Sequence, residues 1–276
     1  MKNLVIFLFG LALLFAGTAC KKNQSYDLKP NLNVANDNIL SHRPFINVFN
    51  MIVKASRDSA LQQQHHSLID SASVTLSPDN KKLTFIYSGT LCPDSVRRKG
   101  GFEVVLDTSF FVEGTKAFVT FKNYFEDSHY IIASDSMIFS NSTSDSKMVY
   151  TNYISDALIT KDSLRVIHWN GLITFTLPPE ILQNGNNPVQ IEVNGSATGI
   201  SSMGYGFRST ITSSLLEYLD CPWILDGKME LFIPDAVIRG GTIGFISKTT
   251  CNNLIDYDFE GTVYHWRISE PYLGPW

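Results

Sequence analysis

Leu164-Arg-Val-Ile-His-Trp-Asn-Gly-Leu-Ile-Thr-Phe-Thr-Leu177 decides how this chain is read. Two runs rich in Val, Ile, Thr, Leu and aromatic residues flank Asn170-Gly171, and both turn residues tolerate the positive φ of a two-residue hairpin loop. The spacing predicts a β-hairpin with strands 164–169 and 172–177. Its register sets His168 opposite Ile173, Val166 opposite Phe175 and Leu164 opposite Leu177, a nearly apolar set that should face the core. Trp169 and Leu172 would then share the other face.

Working outward, runs of the same composition recur at 72–76, 82–88, 102–106, 116–121, 129–133, 189–194, 228–233, 242–247 and 261–268, separated by Gly, Asn, Asp and Ser clusters. That pattern predicts a mainly β, antiparallel domain over 71–276, built as β-sandwich-like sheets. Phe85-Ile-Tyr-Ser-Gly-Thr-Leu-Cys92 and Gly244-Phe-Ile-Ser-Lys-Thr-Thr-Cys251 both close on Thr-x-Cys. Two related halves would account for this, and coincidence among strands accounts for it almost as well. Upstream the period changes. Phe45, Val48, Phe49, Ile52 and Val53 follow the i, i+3, i+4, i+7, i+8 stripe of an amphipathic helix. Pro44 suits a first helical position. One short helix from Pro44 to about Ser56–Asp58 is expected, within a helical lead-in spanning 41–70. Residues 20–40 are polar and Asn-rich and read as a flexible tether.

Composition bounds the function. With 44% hydrophobic and 17% charged residues, the chain can bury a core and is not of the disordered class. Its 22 Lys and Arg against 26 Asp and Glu leave a net charge of −4, so no nucleic-acid footprint follows.

The first residues carry an address. Lys2, the apolar run Leu4 to Phe15 and the small residues Ala16 to Ala19 describe a signal peptide over 1–19. The run is too short to span a bilayer comfortably. Gly17-Thr18-Ala19-Cys20 resembles a bacterial lipobox, with Gly17 where Leu is usual. Cys20-Lys21-Lys22 is similar to the start of lipoproteins of the Bacteroidota. The resemblance implies that Cys20 is lipidated and anchors the chain in a membrane of the cell envelope. Lys21 and Lys22 replace the acidic run often seen in surface-exposed members, which favours a periplasm-facing outer-membrane protein over a surface one. Cys92-Pro93, Arg98-Lys99-Gly100, Cys221-Pro222-Trp223-Ile224 and Cys251-Asn252-Asn253 resemble a wider group of Bacteroidota lipoproteins with a short N-terminal helix and late Cys-bearing strands. That likeness implies architecture and address, and no activity.

With Cys20 set aside, three cysteines remain, an odd number in an oxidising compartment. Cys221 and Cys251 flank 228–233 and 242–247, which favours a disulfide between them. A Cys92–Cys251 bridge and buried free thiols are the alternatives. No C-x₂₋₄-C spacing exists, so neither a metal site nor a cofactor is expected. Asp256-Tyr-Asp258-Phe-Glu260-Gly261 imitates the start of a calcium loop, but its twelfth position is Arg267, and an acidic turn is the simpler reading. Gly199-Ile-Ser-Ser-Met-Gly204 lacks the nucleophile spacing, and His65-His66 has no zinc-protease frame. No catalytic residue is assigned. Trp169, Tyr205 and Phe207 are candidate ligand-facing rings for a glycan, although most aromatics should fill the core. Ser59, Ser71, Ser95, Ser136 and Ser163 each follow Asp and precede an aliphatic residue, which resembles the O-glycosylation motif of Bacteroidota envelope proteins. The expectation is a non-enzymatic, lipid-anchored module that binds a glycan or an envelope protein. A fimbrillin-like adhesin, with Arg43 as a processing point, and a hydrolase with an unrecognised site are the alternatives.

Overall fold

The computed structural model describes residues 30–268 apart from 95, 142–146, 161–164, 183–188, 222, 236–237 and 248–249. The signal peptide, Cys20, Ser95 and Ser163 lie outside the described residues. Helix α1 runs from Pro30 to Arg57 and α2 from Ser59 to Gln64. Fourteen strands follow: β1 (His66–Ile69), β2 (Ala72–Leu76), β3 (Lys82–Leu91), β4 (Arg97–Leu106), β5 (Lys116–Glu126), β6 (His129–Asn141), β7 (Met148–Thr160), β8 (Val166–Leu177), β9 (Gln190–Ile200), β10 (Gly206–Tyr218), β11 (Asp226–Phe232), β12 (Gly241–Phe245), β13 (Leu254–Phe259) and β14 (Thr262–Arg267). The protein is mainly β and antiparallel throughout. Among the described residues the strands form one open sheet in chain order, in place of the expected sandwich-like packed sheets.

That sheet curls around α1. Every described side chain from Asp37 to Val53 on the helix is buried, and a helix buried all round is a core element, not a surface one. Rings fix its position. Phe45 stacks on Trp169 of β8 at 5.2 Å between centroids, and Phe49 stacks on Phe175 at 3.9 Å. Register shifts in β5, β6, β7 and β10 bend the sheet enough to wrap.

The helix and the Asn170-Gly171 segment both differ from the sequence-based expectation. The helix does not begin at Pro44 but fourteen residues earlier, and Pro44 lies inside it. An internal proline removes one backbone hydrogen bond and costs about 3 kcal/mol. Burial of Leu32, Val34, Ala35, Ile39 and Leu40 offsets that cost, so residues 30–40 are helix, not tether. Asn170-Gly171 makes no turn. β8 passes straight through it, pairing with β7 on one side and β9 on the other. A Cβ on Gly171 would stand 2.4 Å from the Trp169 ring, so the glycine leaves room for the indole folded over it. The Asn170 side chain accepts from the backbone N–H of Asp156 (2.9 Å), at a bulge where Asp156 has φ 53°. A straight strand also reverses parity relative to a hairpin. Trp169, Ile173, Phe175 and Leu177 therefore share the inner face, and His168 and Leu172 are exposed.

A disulfide joins Cys221, after β10, to Cys251, before β13, with Cα atoms 5.7 Å apart. Cys92 is a buried free thiol, so the Cys92–Cys251 pairing does not form. Among the described residues, no helix is long and apolar enough to cross a membrane.

Candidate functional site

The polar residues of α1 build the site. In an ordinary amphipathic helix they would face water; here the sheet surrounds them, so each needs a partner. Asn38 accepts from the Ser209 hydroxyl at 2.9 Å. Arg43 reaches Glu126 (3.3 Å) and Asp127 (2.8 Å) at the β5–β6 turn, and Asn47 donates to Glu126 at 3.1 Å. One turn on, Asn50 donates to Glu217 of β10 at 2.6 Å. Lys54 ends the series, pairing with Asp70 in the β1–β2 turn and with Asp220 at 3.4 Å.

Around Asn47, Asn50 and Lys54 lies a cleft of about 350 Å³. Its walls come from both ends of the sheet: Asp70 and Asp94 from the early connections, Asp220, Trp223 and Cys251 from the late ones. The curled sheet thus brings its two ends together over the last turns of the helix. Arg98 closes one wall, bonded to Asp94 at 2.6 Å and to Glu126 at 3.2 Å. Trp223 closes the other, with the Arg43 guanidinium 5.5 Å from its ring centroid. The disulfide holds the connection that carries Trp223.

Two buried glutamates beneath the cleft have opposite character. Glu126 is 2% exposed, and burial alone would raise its carboxyl. Arg98 and Arg43, with hydrogen bonds from Tyr124 and Asn47, prevail and hold it down at about 2. Glu217 is 1% exposed. Burial pushes it up to about 8 against the Asn50 hydrogen bond and the more distant Lys54 charge. It therefore carries a proton at neutral pH. Its Oε2 and the Asn50 Oδ1 both lack a hydrogen-bond partner. Elsewhere in the interior, burial likewise raises Asp135, beside Asn152, to about 8. Burial lowers His42, edge-on to Trp169 at 4.8 Å, to about 3.

The residues picked out by sequence are scattered. Trp169 is wholly buried against α1; Phe207 is nearly so and lines an open hollow with His168 and Arg208, and Tyr205 is half-buried and packs on the core. The structure puts Trp223 at the cleft instead. Ser59 is exposed at the start of α2, Ser71 is half-buried in the β1–β2 turn, and Ser136 lies in β6. The acidic stretch 256–261 forms β13 and the turn into β14. Asp256 pairs with His265 (2.6 Å), Glu260 with Arg239 (3.0 Å), and Asp258 accepts from the Gly261 N–H (3.1 Å). Among the described residues, no cluster of three or more His, Cys, Asp or Glu could hold a metal ion. Arg43, the processing point of the adhesin reading, is buried in mid-helix and doubly paired.

Lys54, Asn50, Arg98, Glu217 and Trp223 were not singled out from sequence as a site. A signal existed for one of them: Leu215-Leu-Glu217-Tyr-Leu219 alternates, so Glu217 occupies an inward position between two core leucines. Comparison with protein-family models, with curated proteins and with solved structures returned no match.

Proposed function

We propose that the protein is a non-enzymatic binding module, held at the cell envelope by lipid on Cys20, that takes a small ligand in the cleft where the two ends of the sheet meet. One observation carries the reading. Early and late connections of the sheet converge over the last turns of α1 and leave a cleft of about 350 Å³, walled by the Lys54–Asp70 and Arg98–Asp94 pairs with exposed Asp220 and half-buried Trp223 beside them. Such a fixed, ion-paired frame suits recognition, and the cleft has the volume of a small-molecule site.

A thermal-shift screen of the full-length protein against a varied small-molecule set tests this. Stabilising compounds are expected, and Asp220→Trp, which places a bulky ring at the exposed rim, should abolish their effect. No stabiliser, or stabilisers indifferent to Asp220→Trp, contradicts the cleft. The anchor is tested apart from it: Cys20→Ala should abolish labelling by a fatty-acid analogue and release the protein from membranes. We also propose O-glycosylation, for which exposed Ser59 and half-buried Ser71 are the accessible candidates among described side chains. An intact mass from the native host equal to polypeptide plus lipid would remove it.

A further inference from the structure

The walls of the cleft do not balance in charge, and the imbalance specifies a ligand class. Lys54 and Arg98 bring two positive side chains to the lining, and Asp70, Asp94 and Asp220 bring three negative ones. Asp94 is fully used: Oδ2 accepts from Arg98 at 2.6 Å and Oδ1 from the Val96 N–H at 3.0 Å. Arg98 in turn divides its charge between Asp94 and buried Glu126, 3.2 Å away. Among the described residues, Lys54 is the one cation paired with Asp70 and Asp220. Its ammonium touches an oxygen of each, that of Asp220 at 3.4 Å. One cation thus serves two carboxylates, and both can be reached from the cleft, with side chains 36% and 81% exposed.

A cationic ligand completes the count at two positive groups against two carboxylates, whereas an anion adds to the surplus. A metal ion is a poor occupant, because among the described residues no group of three or more His, Cys, Asp or Glu could hold one. An ammonium group needs less: its N–H donors suit separate carboxylates, as Lys54 shows between these same two. The remaining walls are apolar, with Met51, Leu219 and Pro93 to pack a hydrocarbon stem and a half-buried indole at Trp223. An indole face attracts cations. Arg43 already stands over the Trp223 ring at 5.5 Å, but it lines a separate small hollow with Ile39 and Ile46, not the cleft. We propose that the cleft binds a small organic amine, its ammonium held by Asp220 and Asp70 at the rim and its apolar stem against Trp223 and Leu219. This rests on the cleft being a ligand site and adds the class of ligand.

The test is calorimetric titration of the full-length protein in a non-ionic detergent at pH 7. The probes are pentylamine, pentanol and pentanoate, which share one stem and differ in the charge of the head. Pentylamine should bind about tenfold more tightly than pentanol, the margin of a charge-assisted hydrogen bond over a neutral one. Pentanoate should bind most weakly. Asp220→Asn, at the exposed rim, leaves the walls neutral and should bring pentylamine to the level of pentanol. Asp220→Lys should reverse the order of pentylamine and pentanoate. Trp223→Ala should weaken pentylamine about threefold. Pentanol or pentanoate binding as tightly as pentylamine overturns the class. So does pentylamine binding that ignores Asp220→Asn, or a failure of all three probes. Stabilisers sensitive to Asp220→Trp but indifferent to Asp220→Asn would then show that the cleft stands without this class of ligand. Stabilisers indifferent to both would remove the cleft as well.

Discussion

Asn47 and Asn50 stand one helical turn apart on α1, and each donates to a buried glutamate, on β5 and β10 respectively. On the β5 side two arginines, a tyrosine and an asparagine surround Glu126, and the carboxylate stays ionised. On the β10 side Glu217 has one close partner and keeps its proton. Burial is nearly equal, so the number of cationic partners decides the charge, not the depth. The flanks are also fastened differently. Ion pairs through Glu126 tie β4 and β5 to the helix, whereas the late connections are tied through Cys221–Cys251.

Breaking the charged flank should have the largest effect. Glu126→Leu leaves Arg43 and Arg98 buried without their shared partner, and such losses cost about 3–5 kcal/mol. Urea denaturation measures it, and a loss under about 1 kcal/mol would mean the cluster is solvated. Opening the covalent flank comes next. The disulfide spans 30 residues, for which chain entropy gives roughly 3–4 kcal/mol. Cys221→Ser and Cys251→Ser should cost alike, and the double variant little more. Additive losses would show that the cysteines act separately.

Gly171→Ala probes the ring that seats the helix between these flanks. A methyl 2.4 Å from the Trp169 indole must displace it, at a cost of about 1–3 kcal/mol. An unchanged melting temperature would indicate that Trp169 does not lie over Gly171.

The smallest effect is expected at Glu217, and its sign depends on pH. The folded chain keeps the Glu217 and Asp135 protons up to about pH 8, whereas the unfolded chain loses them near their ordinary values of 4.5 and 3.8. Stability from both groups therefore falls as pH rises across that window. His42 and Glu126 have depressed values, so their contributions fall as pH drops, from 6.5 towards about 3 and from 4.5 towards about 2. These four groups together place the maximum at roughly pH 4–5. Glu217→Gln should cost under about 1 kcal/mol at pH 5 and become relatively stabilising by pH 9. A melting-temperature profile that rises steadily from pH 5 to pH 8 would contradict this balance.

The β class was legible because inward and outward residues alternate along most strands; 72–76 reads as strand in sequence and is β2 in the structure. The Phe45–Val53 stripe likewise marks part of α1. What could not be read depends on distant neighbours. Asn170-Gly171 satisfies a local turn rule, but Trp169 and the bulge at Asp156 use both residues within a strand. Arg43, Asn47 and Asn50 look like the wet face of a helix until the sheet closes over them. β10 was missed because its run of Ser and Thr obscures the alternation, although Glu217 between Leu215 and Leu219 points inward. The cleft unites residues from the start and end of the chain, and no local window contains it.

Side-chain carboxyl ¹³C chemical shifts of the two glutamates, followed from pH 2 to pH 10 and assigned with Glu126→Gln and Glu217→Gln, test the account most directly. Glu217 is expected to titrate near pH 8 while Glu126 remains ionised down to about pH 2. If both titrate together in the ordinary carboxyl range near 4.5, the difference between the two flanks does not exist.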